Sequence, residues 1–261
     1  MKKIIHLSDI HLGYDNLTST MDRLVAGILE QIDNPDEYII VLTGDIVQDA
    51  TKDGSYDLAL NHLQPLKEAG FKILCAPGNH DYGTGNVGNP KFVKKFKEYF
   101  WGDTNFIYPK KTIIDNIAFL CLYSMAEELH WYDRLSAQGE LGCRQLGRLE
   151  AKLRDDDVKA ADYVVVYLHH NPFYGWDPLH RLKDNTELGD VLQKAGNVSA
   201  LLFGHKHQGQ TYKEWGIPRV YDAGTSTKKG GNPNPYRVMD LSQDPSTDYE
   251  ADFLHPDGDD A

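Results

Sequence analysis

The sequence predicts an α/β protein, and three observations support this fold class. Short apolar runs alternate with helix-like segments along most of the 261 residues, a pattern typical of layered α/β proteins. Most of these runs are apolar at nearly every position, as expected for strands that are covered on both faces. Two later runs alternate more regularly between apolar and polar residues, and they indicate a second sheet. The chain is long enough to bury a sizeable core, and 41% of its residues are hydrophobic.

The predicted strands are the short apolar runs between turn-forming residues. Those with nearly continuous apolar character lie at 3–7, 38–43, 71–76, 113–123, 163–168 and 198–203. The two strands with a more alternating pattern lie at 218–224 and 236–242.

Helical patterns occupy segments between these strands. Apolar residues recur at helical spacing in 19–33 and again in 143–155, as in helices that bury one face. The segment 57–70 has a similar pattern but contains Pro65, so we expect a kink or a restart there. Gly70 is placed to end this helix, because glycine readily adopts the left-handed backbone of a C-terminal cap.

Composition predicts one domain, 1–243, followed by an acidic tail, 244–261, that is loose at its end. The formal net charge of −12 argues against a nucleic-acid partner, because the chain would repel a polyanion. No apolar run reaches the length of a membrane span, and the N-terminus lacks a secretory pattern. We therefore expect a cytoplasmic protein with no membrane partner. The three cysteines lack C-x-x-C spacing, which argues against a cysteine metal site.

Ligand-type side chains follow five separate predicted strands. In open α/β sheets, ligands bind beyond the carboxyl ends of the strands, so we expect these side chains to converge. Asp9, Asp45, Asn79 and three or four of the histidines are nitrogen and oxygen donors that suit Zn, Fe, Co, Ni, Mn or Mg, and they are too many for one tetrahedral ion. A pair of ions roughly 3.5–4 Å apart would use them all. The residues are Asp9, His11, Asp45, Asn79, His80, Asp81, His169, His170, His205 and His207.

In this order, these motifs resemble those of the calcineurin-like metallophosphoesterases. The resemblance rests on D-x-H (9–11), G-D (44–45), G-N-H-D (78–81), H-x-P (170–172) and G-H-x-H (204–207). The stretch 139-GELGCRQLGRLEAKL-153 resembles a helix of that family, and the resemblance covers residues 3 to about 240. Chain length and the element 169-HHNPF-173 look most like the class III cyclic-nucleotide phosphodiesterases.

The resemblance implies a fold and a set of metal ligands. The implied fold is a four-layer α/β/β/α sandwich of two mixed sheets flanked by helices. The implied cofactors are two divalent or mixed-valence metal ions, drawn from Mn, Fe, Zn or Co, with Asp45 bridging them. The remaining implied ligands are Asp9, His11 and His207 for the first ion, and Asn79, His170 and His205 for the second.

The resemblance also implies catalytic roles for His80 and Asp81. His80 would stand beside the substrate without binding metal, and Asp81 would orient its imidazole from behind. The choice between His169 and His170 is open, because adjacent residues of a strand point to opposite faces. The family ligand lies two residues before a proline, which selects His170 before Pro172 and leaves His169 packed near the site.

The implied activity is phosphoester hydrolysis, in which a hydroxide bridging the two ions attacks phosphorus. Cyclic nucleotides or similar small phosphoesters are the expected substrates. Alternatives within the superfamily are a broad-specificity phosphomonoesterase and a nuclease, and the acidic charge disfavours the nuclease. A non-catalytic scaffold of the same fold is an alternative of another class, but every ligand type and His80 are present. The oligomeric state stays open between a monomer and a homodimer.

Several residues near these motifs have no assigned role. Tyr82, Tyr174 and Trp176 directly follow site motifs, where packing is favoured over a substrate contact. The roles of the loops 83–90, 127–140 and 228–235 are open. Histidines that match no motif are expected in surface or loop positions, and they are His62, His130, His180 and His255.

Overall fold

The computed structural model describes residues 3–15, 17–85, 88–89, 91–125, 137–173, 180–227 and 236–251. The strands are β1 (Lys3–Leu7), β2 (Tyr38–Thr43), β3 (Lys72–Ala76), β4 (Lys110–Ile114), β5 (Ile117–Cys121), β6 (Tyr163–Tyr167), β7 (Ala200–Phe203), β8 (Thr211–Tyr212), β9 (Arg219–Asp222), β10 (Tyr236–Asp240) and β11 (Tyr249–Ala251). The helices are α1 (Leu17–Gln31), α2 (Ser55–Glu68), α3 (Lys91–Phe96), α4 (Cys143–Lys152), α5 (Asp156–Ala160) and α6 (Asn185–Ala195).

The strands form two mixed sheets. In the first sheet the order is β11-β10-β1-β2-β3, with β1, β2 and β3 parallel and β10 and β11 antiparallel to their neighbours. In the second sheet the order is β4-β5-β6-β7-β9-β8, with four parallel central strands and antiparallel edge strands β4 and β8. Strands that alternate with helices pair in parallel because the helical crossover returns the chain to the same edge.

Side chains alternate across the second sheet and so define the layers. On β5, Phe119 and Cys121 pack in the core that contains the first sheet and α1 and α2. Ala118 and Leu120, on the opposite face of β5, pack with the apolar residues of α4 and α6. The layers are therefore helix, sheet, sheet and helix, and the predicted four-layer α/β/β/α sandwich is confirmed.

The predicted strand 113–123 is wrong, because it contains two strands. β4 and β5 form an antiparallel pair joined by a turn at Asp115 and Asn116. Asp115 has a positive φ of 52°, a conformation that Asp and Asn accept in tight hairpin turns. The turn residues lie inside an apolar run, which hid the reversal of the chain.

α2 does not restart at Pro65, and the alternative expectation of a kink there stays a prediction. The helix continues from Ser55 to Glu68, because Leu63 and Leu66 are buried in the core on either side of Pro65 and tertiary packing supplies most helix stability. The predicted stop at Gly70 is confirmed. Gly70 has φ 107°, and the N–H of Phe71 reaches back to the carbonyl of Leu66 at 3.1 Å, as in a Schellman cap.

Part of the segment predicted as a tail belongs to the first sheet. β11 pairs with β10, and the carboxylate of Asp248 accepts a bond of 2.8 Å from Nε of Arg219. Both side chains of this ion pair are buried. We therefore propose that the domain ends at 251 rather than at 243, while 252–261 lie outside the described residues. Among the described helices, none combines the length and apolar character needed to cross a bilayer.

Candidate metal centre

The two sheets bring their carboxyl ends to a common edge, and hydrogen bonds join the loops there. The N–H of His11 donates to the carbonyl of Asp45 at 2.9 Å, which joins the loops after β1 and β2. The N–H of Gly204 donates to the carbonyl of His169 at 3.0 Å, which joins the loops after β6 and β7. Nδ1 of His169 lies 2.8 Å from the carbonyl oxygen of Thr43. This last contact connects the two sheets at the site.

Asp9, His11 and His207 form a first ligand group. Nε2 of His207 lies 3.1 Å from Oδ1 of Asp9 and 3.2 Å from Nε2 of His11. Oδ2 of Asp9 accepts the hydroxyl of Ser8 at 2.6 Å and the N–H of His205 at 2.9 Å. One carboxylate oxygen of Asp9 is thus fixed by the protein, and the other faces the two imidazoles.

Asp45, Asn79, His169 and His205 form a second ligand group. Nε2 of His169 lies 3.3 Å from Oδ2 of Asp45, 3.0 Å from Oδ1 of Asn79 and 3.1 Å from Nδ1 of His205. The amide nitrogen of Asn79 donates to the carbonyl of Gly85 at 2.9 Å. This bond turns the carbonyl oxygen of Asn79 toward the group.

Asp45 lies between the two groups. Its Oδ2 is 3.3 Å from Nε2 of His169 and 3.9 Å from Nε2 of His11, whereas its Oδ1 accepts the N–H of His80 at 2.8 Å. Burial disfavours ionisation of Asp45, but the neighbouring His169 outweighs this effect and holds the pKa of Asp45 well below its usual range. Asp45 is therefore a buried carboxylate within reach of both ligand groups.

The donor set fits divalent cations. Asp9 and Asp45 are 0% and 2% exposed, and within the described part of the chain their ion-pair partners are imidazoles rather than Lys or Arg. Buried charges require a paired or coordinated opposite charge. Two sets of three residues each have all their ligand atoms within 4.8 Å of one another, and these sets are Asp9, His11 and His207, and Asp45, His169 and His205. Nitrogen and carboxylate oxygen atoms that converge in this way are suited to first-row transition metals.

The backbone at the site is strained in a consistent way. Most of the residues predicted as metal ligands have positive φ, a region that residues other than glycine rarely occupy. Each such residue costs on the order of 1–3 kcal/mol, which the surrounding structure must offset. The resulting tight turns direct side chains back over the strand ends. These residues are Asp9 (51°), His11 (51°), Asp45 (50°), His205 (74°) and His207 (54°).

His80 lies beside the first ligand group. Its ring is 4.8 Å from the ring of His11 in an edge-to-face arrangement, and its side chain is half-buried. Nδ1 of His80 lies 2.6 Å from the carbonyl oxygen of Gln48. Because a carbonyl can only accept, Nδ1 carries a hydrogen, and Nε2 is left for other partners. His80 also completes a third candidate group of ligand atoms with His11 and Asp45.

Asp81 does not support the imidazole of His80, contrary to the expectation from the resemblance. Its carboxylate instead accepts the N–H groups of Ile46 and Val47, both at 3.0 Å, and of Gly78 at 2.8 Å. Burial raises the pKa of Asp81 to about 7. The predicted orienting contact is wrong, because this carboxylate joins the loops after β2 and β3 while the carbonyl of Gln48 holds His80.

Of the two adjacent histidines, the structure places His169 in the second ligand group, and the choice of His170 is corrected. Nδ1 of His170 lies 2.8 Å from Oγ of Ser124, and its Nε2 lies 2.9 Å from the carbonyl oxygen of Ala137. The rings of His169 and His170 are inclined by 82°. The distance to Pro172 locates the pair along the chain, but it does not tell which ring turns toward Asp45.

Other predicted positions have simple outcomes. Tyr82 is 1% exposed and packs edge-to-face on Tyr123, so it is a core residue. Tyr174 and Trp176 lie outside the described residues, as does most of the loop 127–140 and all of 228–235. The role of Gln48 was missed because its backbone carbonyl makes the contact, and no side-chain pattern reports that.

Comparison with known proteins finds similarity to phosphoesterases. A family model described as calcineurin-like phosphoesterase matches residues 2–209. The chain is 27% identical over 229 residues to the 3′,5′-cyclic adenosine monophosphate phosphodiesterase CpdA of Haemophilus influenzae, covering 82% of this chain and 72% of that protein. It is 27% identical over 221 residues to the 3′,5′-cyclic-nucleotide phosphodiesterase alr5338 of Nostoc, covering 78% and 71%. Among solved structures, a dimetal phosphatase from Danio rerio has a TM-score of 0.67 at 16% identity, covering 91% of each chain.

Proposed function

The chain belongs to the calcineurin-like phosphoesterase family, and on this premise we propose that it is a phosphodiesterase of cyclic nucleotides or similar small phosphoesters, acting at two metal ions. The observation that carries the proposal is the presence of two ligand groups with Asp45 within reach of both. The relatives from Haemophilus influenzae and Nostoc are named as cyclic-nucleotide phosphodiesterases, which supports cyclic nucleotides as the substrate class.

The geometry of the site supports a ligand set for two ions. Imidazole and carboxylate ligands without thiolate suit Mn, Fe, Zn or Co. When bound, such a pair of ions would activate a water as hydroxide and neutralise charge that develops on the phosphoryl group. The proposed ligands are Asp9, His11 and His207 for one ion, Asn79, His169 and His205 for the other, and Asp45 for both.

His80 is proposed as the proton donor to the leaving group. The carbonyl of Gln48 fixes the hydrogen on Nδ1, so the protonated imidazole presents its second N–H from Nε2. The ring of His80 contacts the ring of His11 edge-to-face, so it lies next to the first ligand group. General acid catalysis of this kind contributes roughly 10²–10⁴ in rate.

The acidic character of the chain bears on the substrate. A net charge of −12 does not attract a phosphate from a distance, so attraction must arise locally from the bound cations. This favours small phosphoesters that enter the site over long polyanions, which would meet repulsion along their whole length.

Metal analysis and a substrate panel test the proposal. The purified protein is analysed for bound metals and then assayed with 3′,5′-cyclic AMP, bis-p-nitrophenyl phosphate and p-nitrophenyl phosphate. Asp45→Asn provides the inactive variant, because Asn tolerates the positive φ of residue 45 better than Ala does. Asp53→Asn, at an exposed position on the N-terminal side of α2, is the matched control.

We expect the unaltered protein to bind two ions per chain and to hydrolyse the diester. Asp45→Asn should lose the bound metal and the activity, whereas Asp53→Asn should keep them. Hydrolysis of the monoester alone would replace the proposal with a phosphomonoesterase. A protein that binds no metal and cleaves none of the three compounds would contradict it altogether.

A further inference from the structure

His180, which matches no sequence motif, lies at the second ligand group. Its ring centroid is 5.7 Å from that of His205, and the two rings are inclined by 43°. The side chain of His180 is half-buried. Within the described residues it does not belong to any of the three candidate groups of metal-binding atoms. His180 is thus beside the proposed metal centre without being one of its ligands.

The position of His180 is set by the residues that follow it. The carbonyl of Arg181 accepts the N–H of Gly139 at 2.9 Å, and the N–H of Lys183 donates to the carbonyl of Gly139 at 2.9 Å. Leu182 between them is 2% exposed. This pairing anchors the backbone immediately after His180, so its imidazole is held at the edge of the site by a fixed segment.

His80 and His180 occupy corresponding places at the two ligand groups. The ring of His80 contacts that of His11 in the first group, and the ring of His180 is near that of His205 in the second. A phosphoester seated over Asp45 would therefore have, beside each group, one imidazole that is outside the proposed ligand set. An imidazole N–H is a good donor to an anionic phosphoryl oxygen, and bonds to charged groups are the stronger class.

From this arrangement we propose that His180 contacts the substrate, donating a hydrogen bond to a non-bridging phosphoryl oxygen on the His205 side of the site. The inference rests on the proposed function. His180 would bind the substrate, whereas His80 would donate the proton to the leaving group. Because monoesters and diesters both carry non-bridging oxygens, the contact is common to all substrates of the site.

Three variants test the inference. His180→Ala removes the donor, and His180→Gln keeps an N–H donor on a side chain of similar length. His62→Ala is the matched control, because His62 pairs with Asp22 at 2.7 Å on the surface of α1 and α2. For each protein, the metal content, kcat and KM for monoester and diester, and the affinity of the metal-loaded protein for inorganic phosphate are measured.

We expect His180→Ala to raise KM and the phosphate dissociation constant by roughly ten-fold or more, equally for monoester and diester. Metal content and kcat stay close to those of the unaltered protein, and His180→Gln recovers part of the affinity. Unchanged KM and phosphate affinity would overturn the inference. So would a parallel loss of metal, which would mean that His180 acts by positioning His205. Failure of the unaltered protein to cleave any phosphoester would instead refute the proposed function, and the phosphate affinities would still decide the role of His180.

Discussion

Loading the metal-free protein with a divalent cation should release a proton from His169. Burial disfavours charge on this ring, but the carboxylate of Asp45 at 3.3 Å more than offsets it and raises the pKa of His169 to about 9. A raised pKa means that the folded protein keeps this proton until the pH passes about 9, so a cation must displace it. His170 provides the contrast, because burial lowers its pKa to about 3 and it has no proton to release.

The number of protons released follows from the pKa of His169. At pH 8 a group with a pKa of about 9 is ~90% protonated, so about 0.9 proton should leave His169, falling to about 0.1 at pH 10. At pH 7 the cation must compete with this proton, so its affinity should be roughly a hundred-fold weaker than at pH 10. At about 1.4 kcal/mol per pH unit, the difference is ~3 kcal/mol of binding free energy. The same proton also stabilises the folded, metal-free protein. Its contribution to the free energy of unfolding is fully present below pH 6.5, the pKa of this histidine in the unfolded chain, and it is lost as the pH rises through about 9.

Calorimetric titration with Mn²⁺ in buffers of different ionisation enthalpy counts the protons at each pH. His169→Asn should remove about one proton from the count at pH 7, whereas His170→Asn should leave the count unchanged. An equal count in the unaltered protein and His169→Asn would refute the coupling to Asp45. A drop confined to His170→Asn would return the ligand role to that residue.

Three further outcomes follow from the contacts described above. His80→Ala should lower turnover by roughly 10²–10⁴ for esters with poor leaving groups and much less for p-nitrophenyl esters, which need no proton. Gly204→Ala should reduce metal content, because a Cβ there would clash with Oγ of Ser8 and Oδ2 of Asp9 and displace this carboxylate. Asp248→Ala should lower the free energy of unfolding by about 3–5 kcal/mol in denaturant titration, because Arg219 would stay buried without a carboxylate to balance its charge.

Each outcome has a matched comparison. For His80→Ala, equal losses with both kinds of leaving group would exclude proton donation. For Gly204→Ala, the control is Gly147→Ala in α4, where a Cβ meets nothing within 4 Å, and full metal content in both variants would contradict the packing argument. For Asp248→Ala, the control is Glu150→Ala, which removes surface ion pairs with Arg154 and Lys194 that solvent screens and that contribute little to stability. Similar losses in these two variants would mean that the buried pair is not special.

Most strand positions and the location of the site followed from local patterns in the sequence. A strand buried on both faces is recognisable from its own residues, as β1 and β2 show. Polar ligands at strand ends must converge once the strands are parallel, so Asp9 and Asp45 could be placed without coordinates. Helix α6 was missed, although its buried residues Leu188 and Leu192 recur at helical spacing, as buried residues do in α1.

Finer geometry could not be predicted, because it depends on contacts between distant segments. The rotation that selects His169 over His170 is set by the carbonyl of Thr43, 126 residues away. The role of Asp81 depends on the N–H groups of Ile46 and Val47, and backbone donors leave no mark in a sequence. Composition alone assigned Asp248 to an acidic tail, since charge gives no sign that a carboxylate will be buried against Arg219.

The left-handed turns under the ligands limit how this chemistry can be moved or altered. Asp and Asn can adopt such backbone, whereas valine or isoleucine cannot do so without severe crowding, so each position tolerates a narrow set of replacements for reasons that precede metal binding. Transplanting the same side chains onto straight strand ends of another scaffold would aim them in different directions. A designer would need to copy the loops from Asp9 to His11 and from His205 to His207 as whole backbone units.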